Sequence, residues 1–269
     1  MRIIYFGTDV FLPCFRYLAE RHEIIALYTY HNDEDFFTEY SIVREAEQRG
    51  IPVSYGQMTD EDVIRAFRDE GCDLFFSAEY SYILPVPEGL EEFKGVNIHS
   101  ALLPEGRGYY PIECAMERSL TVTGVTMHRM ARRFDAGDIL LQRRIEITPE
   151  MDSVDVYLAS SAYALKMTKQ LMESFDLVWS GGRPMDHIPP AWKRPETEIM
   201  RLSHTMTVGE GLELFRRYNT MTEVETEGQR RFVRAMMPGT AMLPEPVIVT
   251  GEDSCLYAMA DGHLRLILV

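Results

Sequence analysis

The sequence predicts an α/β fold in which a mostly parallel β-sheet carries helices on both of its faces. Three observations predict it: short apolar segments alternate with amphipathic ones between residues 2 and 98, turn-forming residues separate them, and capping residues precede amphipathic segments. Strands that alternate with helices build βαβ units, in which the strands run parallel and the crossovers are right-handed. We therefore expect a Rossmann-like sheet in the first part of the chain.

Each element of this sheet has its own signal. Residues 2–6 are rich in apolar β-formers, and residues 10–21 repeat apolar side chains at helical spacing. Gly50 ends the second amphipathic segment, and Thr59 is placed to cap the third. We predict strands at residues 2–6, 23–30, 51–53, 73–78 and 95–98, and helices at residues 10–21, 39–49 and 60–70.

The alternation of strand and helix patterns ends near residue 182, where a proline-rich segment begins. Before that point we predict strands at 121–130 and 138–147, joined like a hairpin, and a long helix at 153–179. Prolines at positions 184, 189, 190 and 195 indicate a linker. Beyond it we predict a helix at 208–218 and short strands at 231–236, 246–249, 256–259 and 264–269. The expected domains are 1–182, a Pro-rich linker at 183–199, and a small α+β domain at 200–269 with little core of its own.

The composition excludes several classes of protein. With 46% hydrophobic and 26% charged residues, the chain is expected to be a globular protein with a real core. The net charge of −15 argues against binding of a nucleic-acid backbone, which needs a basic surface. No apolar run approaches the ~20 residues of a membrane span and the first residues lack a signal-peptide pattern, so a cytoplasmic protein is expected. The four cysteines are far apart, and neither a zinc site nor a disulfide framework is predicted.

The position of a ligand site also follows from the predicted sheet. Ligands of such sheets bind beyond the carboxyl ends of the strands, where residues 7–9, 79–84 and 99–111 should meet. A GxGxxG phosphate loop does not follow the first strand. A fold that binds a nicotinamide dinucleotide is therefore disfavoured.

Asn97 and His99 are the main candidates for chemistry at this edge. They are two positions apart at the end of a predicted strand, so both side chains should lie on one face. Histidine is a candidate general base, and an asparagine amide can donate a hydrogen bond to a developing oxyanion. Asp135, just before Ala136 and Gly137, is placed to orient the imidazole as the aspartate of hydrolytic triads does.

The residues alone leave two interpretations open. A histidine in a strand is often a purely structural residue, and an asparagine near it often ends a strand. If the three side chains are catalytic, the absence of a convincing Ser or Cys elbow in the sequence favours direct transfer between bound substrates, or hydrolysis, over a covalent acyl-enzyme.

A resemblance to a known family favours the catalytic interpretation. Residues 97–104, which read Asn-Ile-His-Ser-Ala-Leu-Leu-Pro, and the following Arg107, Gly108 and Pro111 resemble the central motif of formyltransferases that use N10-formyltetrahydrofolate. A second block at residues 123–126 and 135–140, and a folate-side loop at residues 77–85, are similar to the same family. The resemblance covers about residues 1–180, in order.

The resemblance implies roles for particular residues of the first domain, which would be the catalytic domain. It implies that Asn97, His99 and Asp135 are the catalytic trio. It implies that the formyl donor, N10-formyltetrahydrofolate, lies against Tyr82, Ile83, Leu84, Ala131, Arg132, Arg133 and Phe134. The acceptor is expected to contact Ser100, Arg107, Tyr109 and Tyr110, and no metal is implied. The C-terminal region is expected to be the remnant of an OB-like barrel.

The acceptor amine is the open question within this family. The best-known members formylate methionyl-tRNA and carry a basic loop after the second strand, whereas residues 31–37 here are acidic. Residues 39–53 and 125–130 look more similar to nucleotide-sugar N-formyltransferases, which implies an amino sugar on a UDP or dTDP carrier. A methionyl-tRNA formyltransferase and a formyltetrahydrofolate hydrolase are the alternatives, although hydrolases usually have an additional N-terminal domain. We expect no nucleic-acid or membrane partner, and a homodimer is left open.

Overall fold

The computed structural model describes residues 1–30, 41–226 and 228–269. The acidic segment at residues 31–37 lies outside these described residues. The chain divides into two compact units. The first consists of Met1–Pro111, Val122–Glu146 and Tyr157–Trp192, and the second of Ile112–Thr121, Ile147–Val156 and Lys193–Val269.

The first unit is built on a seven-stranded sheet in the order β3-β2-β1-β4-β5-β6-β7. Strands β1 to β5 pair in parallel, and β6 and β7 extend the sheet in antiparallel fashion. The mostly parallel sheet predicted from the sequence is therefore confirmed. Its strands are β1 (Arg2–Gly7), β2 (Glu23–Tyr28), β3 (Val53–Ser54), β4 (Leu74–Ala78), β5 (Gly95–His99), β6 (Val122–Arg129) and β7 (Ile139–Glu146).

Helices cover both faces of this sheet, as predicted. The chain has α1 (Leu12–Arg21), α2 (Ser41–Gln48), α3 (Asp60–Arg68), α4 (Pro111–Glu117), α5 (Ser153–Glu173), α6 (Phe175–Ser180) and α7 (Val208–Tyr218). Buried residues of α1, α2 and α5, such as Phe15, Ile42 and Met167, share one core with the sheet. On the other face α3 packs its Phe67 ring 5.0 Å from Phe75 of β4. The apolar side chains at helical spacing are thus the ones that hold the helices on the sheet.

The predicted helix at residues 153–179 is two helices. The break falls at Ser174, whose backbone (φ −142°, ψ 48°) is not helical. After the break, Phe175 stacks on Trp179 with ring centroids 5.7 Å apart, and the guanidinium of Arg129 lies over the Trp179 ring. The contact of Arg129 with Trp179 joins residues that are distant in the sequence, and the apolar periodicity does not show it.

The second unit contains a five-stranded antiparallel sheet in the order β10-β11-β12-β9-β8. Its strands are β8 (Glu223–Thr226), β9 (Gln229–Gly239), β10 (Val247–Gly251), β11 (Ser254–Met259) and β12 (Gly262–Leu268). The small β-rich C-terminal appendage is confirmed. It has more core than predicted, because α7 covers the sheet and twelve buried residues form one cluster that includes Val224, Val233 and Leu264. Strand β8, which carries polar Glu223 and Glu225, was missed because its sequence lacks a run of apolar residues.

Two features bear on function without forming a site. All four cysteines are buried and none forms a disulfide, and burial raises the pKa of the Cys14 thiol to about 12. A thiol that stays protonated is a poor nucleophile. Among the described residues, no helix combines the length and the apolar character needed to cross a membrane.

Candidate active site

The candidate site lies at the carboxyl end of β5, where the parallel part of the sheet meets its antiparallel extension. Asn97 pairs with Ser77 of β4 on one side and with His128 of β6 on the other. His99 ends the strand opposite Thr126. Since both Asn97 and His99 face Asp135, the two side chains lie on the same face of the sheet, as their spacing predicts.

Asp135 is the centre of the cluster. Its Oδ2 atom lies 3.7 Å from His99 Nδ1 and accepts a hydrogen bond of 3.1 Å from the backbone N–H of Gly108. Its Oδ1 atom lies 3.5 Å from both Asn97 Nδ2 and His128 Nε2. The structure therefore brings together the three side chains that the sequence predicts as a trio.

The backbone between β6 and β7 is bent tightly to place this carboxylate. Asp135 has a φ of 46°, in the left-handed region that residues with a Cβ rarely adopt. At Gly137 a Cβ atom would collide with the carbonyl oxygen of Arg129. The glycine two positions after the aspartate thus allows the close approach of the two strands that the turn requires.

The charge of Asp135 is set by opposing effects. Burial raises the pKa of a carboxyl group, but the interactions with His99 and His128 and the backbone hydrogen bond from Gly108 outweigh it and lower the pKa of Asp135 to about 2. The group is ionised at any physiological pH. It can stabilise positive charge on His99, but it is not a base that takes up protons at neutral pH.

Both ring nitrogens of His99 face acceptors. Nε2 lies 2.7 Å from the carbonyl oxygen of Gly106, and because a carbonyl only accepts, this nitrogen carries a proton. Nδ1 faces the ionised carboxylate of Asp135 at 3.7 Å. A positive charge on the imidazole would be stabilised here. For His99 to act as the predicted general base toward a substrate, one of these two contacts has to open.

His128 belongs to the same cluster, and the sequence analysis did not select it as a site residue. It is buried on β6, and its Nε2 atom lies 3.1 Å from Asn97 Nδ2. Its Nδ1 atom lies 2.8 Å from the carbonyl oxygen of Arg129, so Nδ1 donates and Nε2 accepts from the amide. The available signal was the alternation of Thr126 and His128, two polar residues on the inner face of a strand next to Asn97.

Arg107, predicted to contact the acceptor, makes its hydrogen bonds in the structure to the protein backbone. It is buried, and its guanidinium donates to the backbone carbonyl oxygens of Phe134, Asp135 and Pro189. An arginine fork that binds several carbonyls fixes their positions. In this structure Arg107 therefore holds the segment that carries Asp135, and its donors are used within the protein.

The other predicted acceptor residues lie around the same loop. The hydroxyl of Ser100 is buried and has no hydrogen-bond partner among the described residues. Tyr109 is 45% exposed, and its ring stacks on Phe134 with centroids 5.7 Å apart. Tyr110, with a φ of 50°, precedes α4. An orphaned buried hydroxyl and a half-exposed aromatic pair are features that a bound ligand could satisfy.

The predicted folate-side residues form two neighbouring segments. Ile83 is 63% exposed, while Tyr82 packs edge-on against Tyr80 and Leu84 is partly buried in the adjoining core. In the second segment Ala131 is partly buried and Arg133 is exposed. Arg132 joins the two segments, since its guanidinium donates to Val86 O at 3.1 Å and forms an ion pair with Glu88 at 2.5 Å.

Comparisons with known proteins identify the family. A family model described as "Formyl transferase" matches residues 22–167, which is more than half of the chain. The chain belongs to the formyl transferase family. The resemblance predicted from residues 97–104 and 123–140 is confirmed.

Relatives of this formyl transferase are named as methionyl-tRNA formyltransferases. The one from Xanthomonas axonopodis pv. citri is 33% identical over 198 residues, which cover 71% of this chain and 64% of that relative. The one from Stenotrophomonas maltophilia is 27% identical over 284 residues, covering 99% of this chain and 91% of the relative. The segment matched to the Xanthomonas relatives covers most of this chain. It spans slightly under two thirds of the length of these relatives, which are more than 30% identical to it.

Solved structures share the fold of this formyl transferase at low identity. HypX from Aquifex aeolicus in complex with tetrahydrofolic acid has a TM-score of 0.68 at 17% identity, covering 99% of this chain and 43% of its own. An N-formyltransferase from Helicobacter canadensis in complex with folinic acid and dTDP-3-aminofucose has a TM-score of 0.63 at 17% identity, covering 99% and 98%. WlaRD, a sugar 3N-formyl transferase, has a TM-score of 0.61 at 15% identity and covers 100% and 98%.

Proposed function

We propose that this protein transfers a formyl group from N10-formyltetrahydrofolate to a primary amine, and that the amine belongs to an amino sugar on a UDP or dTDP carrier. The observation that carries the proposal is the cluster of partly buried Asn97 with buried His99 and Asp135 in a member of the formyl transferase family. The three side chains supply a hydrogen-bond donor, a proton-carrying ring and a fixed negative charge at one point.

The residues on the folate side suit a donor with a flat ring and a polar edge. The donor supplies an activated formyl carbon. Exposed Ile83 and the stacked pair of Tyr109 and Phe134 provide apolar surfaces, and Arg132 holds the two segments together. The neighbours from Aquifex aeolicus and Helicobacter canadensis were solved with tetrahydrofolic acid and folinic acid, which supports the same class of donor.

The trio would lower the barrier to transfer by electrostatic means. When an amine attacks a formyl carbon, negative charge develops on the formyl oxygen, and Asn97 Nδ2 would stabilise it by turning one N–H away from its 3.5 Å contact with Asp135. His99 would bear positive charge as protons move, and Asp135, ionised with a pKa of about 2, would stabilise that charge. The protein's own nucleophiles are not required, which agrees with its buried, protonated cysteines.

Two observations favour a nucleotide-linked sugar as the acceptor. The net charge of −15 disfavours a large polyanionic partner. The sugar N-formyltransferases WlaRD and the Helicobacter canadensis enzyme align with this chain over 98% of their own lengths. One observation favours methionyl-tRNA as the second candidate, namely the 33% identity to a methionyl-tRNA formyltransferase over 198 residues.

The test compares three acceptors in separate reactions. The purified protein is given N10-formyltetrahydrofolate with dTDP-3-aminofucose, a UDP-linked amino sugar or charged initiator methionyl-tRNA, and formylated products are measured by mass spectrometry. We expect a formylated nucleotide sugar and no formylmethionyl-tRNA. His99→Asn should lower the rate by about 10² to 10⁴-fold, while His22→Gln, a substitution near the N-terminus, should not change it.

Each other outcome of this test leads to a different conclusion. Efficient formylation of the tRNA would reject the sugar and support the second candidate. Release of formate at a rate that no amine changes would show a hydrolase. If neither formylated product nor formate appears, the protein does not use this donor and the proposed function fails.

A further inference from the structure

Glu79 lies beside the trio at the end of the neighbouring strand. In the parallel pairing of β4 and β5, Ser77 is opposite Asn97 and Ala78 is opposite Ile98. The next residues are Glu79, directly after the end of β4, and His99, at the end of β5. Glu79 also has a φ of 61°, a strained backbone for a residue with a Cβ. Such strain concentrates at functional sites.

No contact with a described residue shows that the carboxyl group of Glu79 stabilises the fold. The residue is partly buried and makes no hydrogen bond or ion pair with the residues that the structure describes. Burial and the nearby negative charge of Asp135 raise the pKa of Glu79 to about 7. Ionising a carboxyl group in a partly buried position is costly, and no contact with a described residue offsets that cost, which points to a role in binding or chemistry at this edge.

In the structure, each basic atom of the trio is directed at another group of the protein, so a contact has to open before the trio can take a proton from an amine. Asp135 stays ionised, with its pKa near 2, and accepts from Gly108. Both nitrogens of His99 are directed at Gly106 O and Asp135, and those of His128 at Arg129 O and the Asn97 amide. The transfer nevertheless requires that the attacking amine lose a proton.

The other titratable groups at this edge of the sheet are committed to the fold. At the end of β1, the carboxylate of Asp9 accepts from the backbone N–H groups of Ser41 and Ile42. The hydroxyl of Tyr80, next to Glu79 on the same segment, donates to Gly56 O. Glu79 differs from these groups, because its carboxylate has no such bond to a described residue.

We propose that Glu79 receives the proton of the acceptor amine and thereby selects acceptors that arrive as ammonium groups. The inference rests on the proposed function. In the balanced step, the ammonium group first gives one proton to the Glu79 carboxylate, and the neutral amine then bonds to the formyl carbon. As the bond between the formyl carbon and the donor nitrogen breaks, the second proton of the acceptor nitrogen passes to the donor nitrogen. Glu79 afterwards releases its proton to solvent. The negative charges of Glu79 and Asp135 attract the ammonium group, and Asn97 donates a hydrogen bond to the formyl oxygen.

The experiment compares Glu79→Gln, Glu79→Asp and the control Glu91→Gln, an exposed glutamate outside the site. Turnover of dTDP-3-aminofucose is measured from pH 5.5 to 9 at saturating N10-formyltetrahydrofolate. For the wild type and Glu91→Gln we expect kcat/KM to fall below about pH 7, where Glu79 is protonated. For Glu79→Gln we expect a loss of about 10²-fold or more at pH 8 and no such acidic limb. Glu79→Asp should recover part of the rate.

A second readout does not depend on activity. Spectra of the protein labelled with ¹³C at the glutamate carboxyl carbons should show one resonance that titrates near pH 7 and is missing in Glu79→Gln. If Glu79→Gln keeps the wild-type rate and acidic limb while the wild type formylates the sugar, the role of Glu79 is rejected and the proposed function stands. If the wild type formylates no amine at all, both are rejected.

Discussion

The side-chain amide nitrogen of Asn97 lies 3.1 Å from Nε2 of His128, its partner on the neighbouring antiparallel strand. Because His128 Nδ1 donates to Arg129 O, Nε2 can only accept, and it binds the nitrogen end of the Asn97 amide. The contact therefore decides which end of the amide faces Asp135. Any effect of His128 on the trio should therefore pass through the position of the Asn97 amide.

Replacement of His128 by leucine should remove the acceptor that holds the Asn97 amide in this orientation. We expect kcat to fall by roughly 10 to 100-fold with little change in the KM of either substrate, because a donor that acts on developing charge affects the transition state more than binding. His128→Gln, which keeps an acceptor, should recover part of kcat. An equal loss in both variants would contradict the positioning role, and His22→Gln is the control for loss of a histidine.

Asp135→Asn should change the acid stability of the protein. The folded pKa of Asp135 is about 2 and the ordinary value is 3.8, so the ionised group stabilises the fold above about pH 4, and this contribution is lost as the pH falls toward 2. The shift corresponds to about 2 kcal/mol. In urea titrations at pH 6 the variant should be less stable than the wild type by about this amount, and the difference should narrow toward pH 2. A difference that stays constant with pH would contradict the assignment.

The sheet and the trio could be predicted because their signals are local. Strands and amphipathic helices alternate in the sequence, and Asn97, His99 and Asp135 lie within two compact motifs. The position of Asp135 also depends on a turn at Gly137, and a glycine there is visible in the sequence.

The features that were missed depend on contacts between distant residues. The role of His128 exists only because β6 pairs antiparallel with β5, and the task of Arg107 exists only because residues 134, 135 and 189 bring carbonyl oxygens to it. Helix α4 and strand β8 are short and lack periodic apolar residues long enough to stand out. The break at Ser174 is likewise not visible in the apolar periodicity.

Glu79→Gln should make the protein more stable at neutral and higher pH. The folded pKa of Glu79 is about 7 and the ordinary value is 4.5, so the wild type loses stability as the pH rises through this range and the carboxyl group ionises in its buried site. Glutamine does not ionise, and the variant should gain up to about 3 kcal/mol above pH 7. Urea titrations from pH 4.5 to 8.5 measure this. The gain should disappear near pH 4.5, whereas Glu91→Gln should show no gain at any pH.

Arg107→Lys should weaken the site although it keeps the positive charge. The guanidinium binds three carbonyl oxygens, those of Phe134, Asp135 and Pro189, and an ammonium on a flexible chain cannot reproduce this fork. The unpaired buried carbonyls should cost roughly 1–3 kcal/mol of stability and loosen the segment that carries Asp135. We expect a lower melting temperature and a fall in kcat of at least 10-fold, with Arg144→Lys, an exposed position on β7, unchanged. If Arg107→Lys instead raised only the KM of the acceptor and left stability and kcat intact, Arg107 would contact substrate as the sequence predicted, and its carbonyl contacts would be incidental.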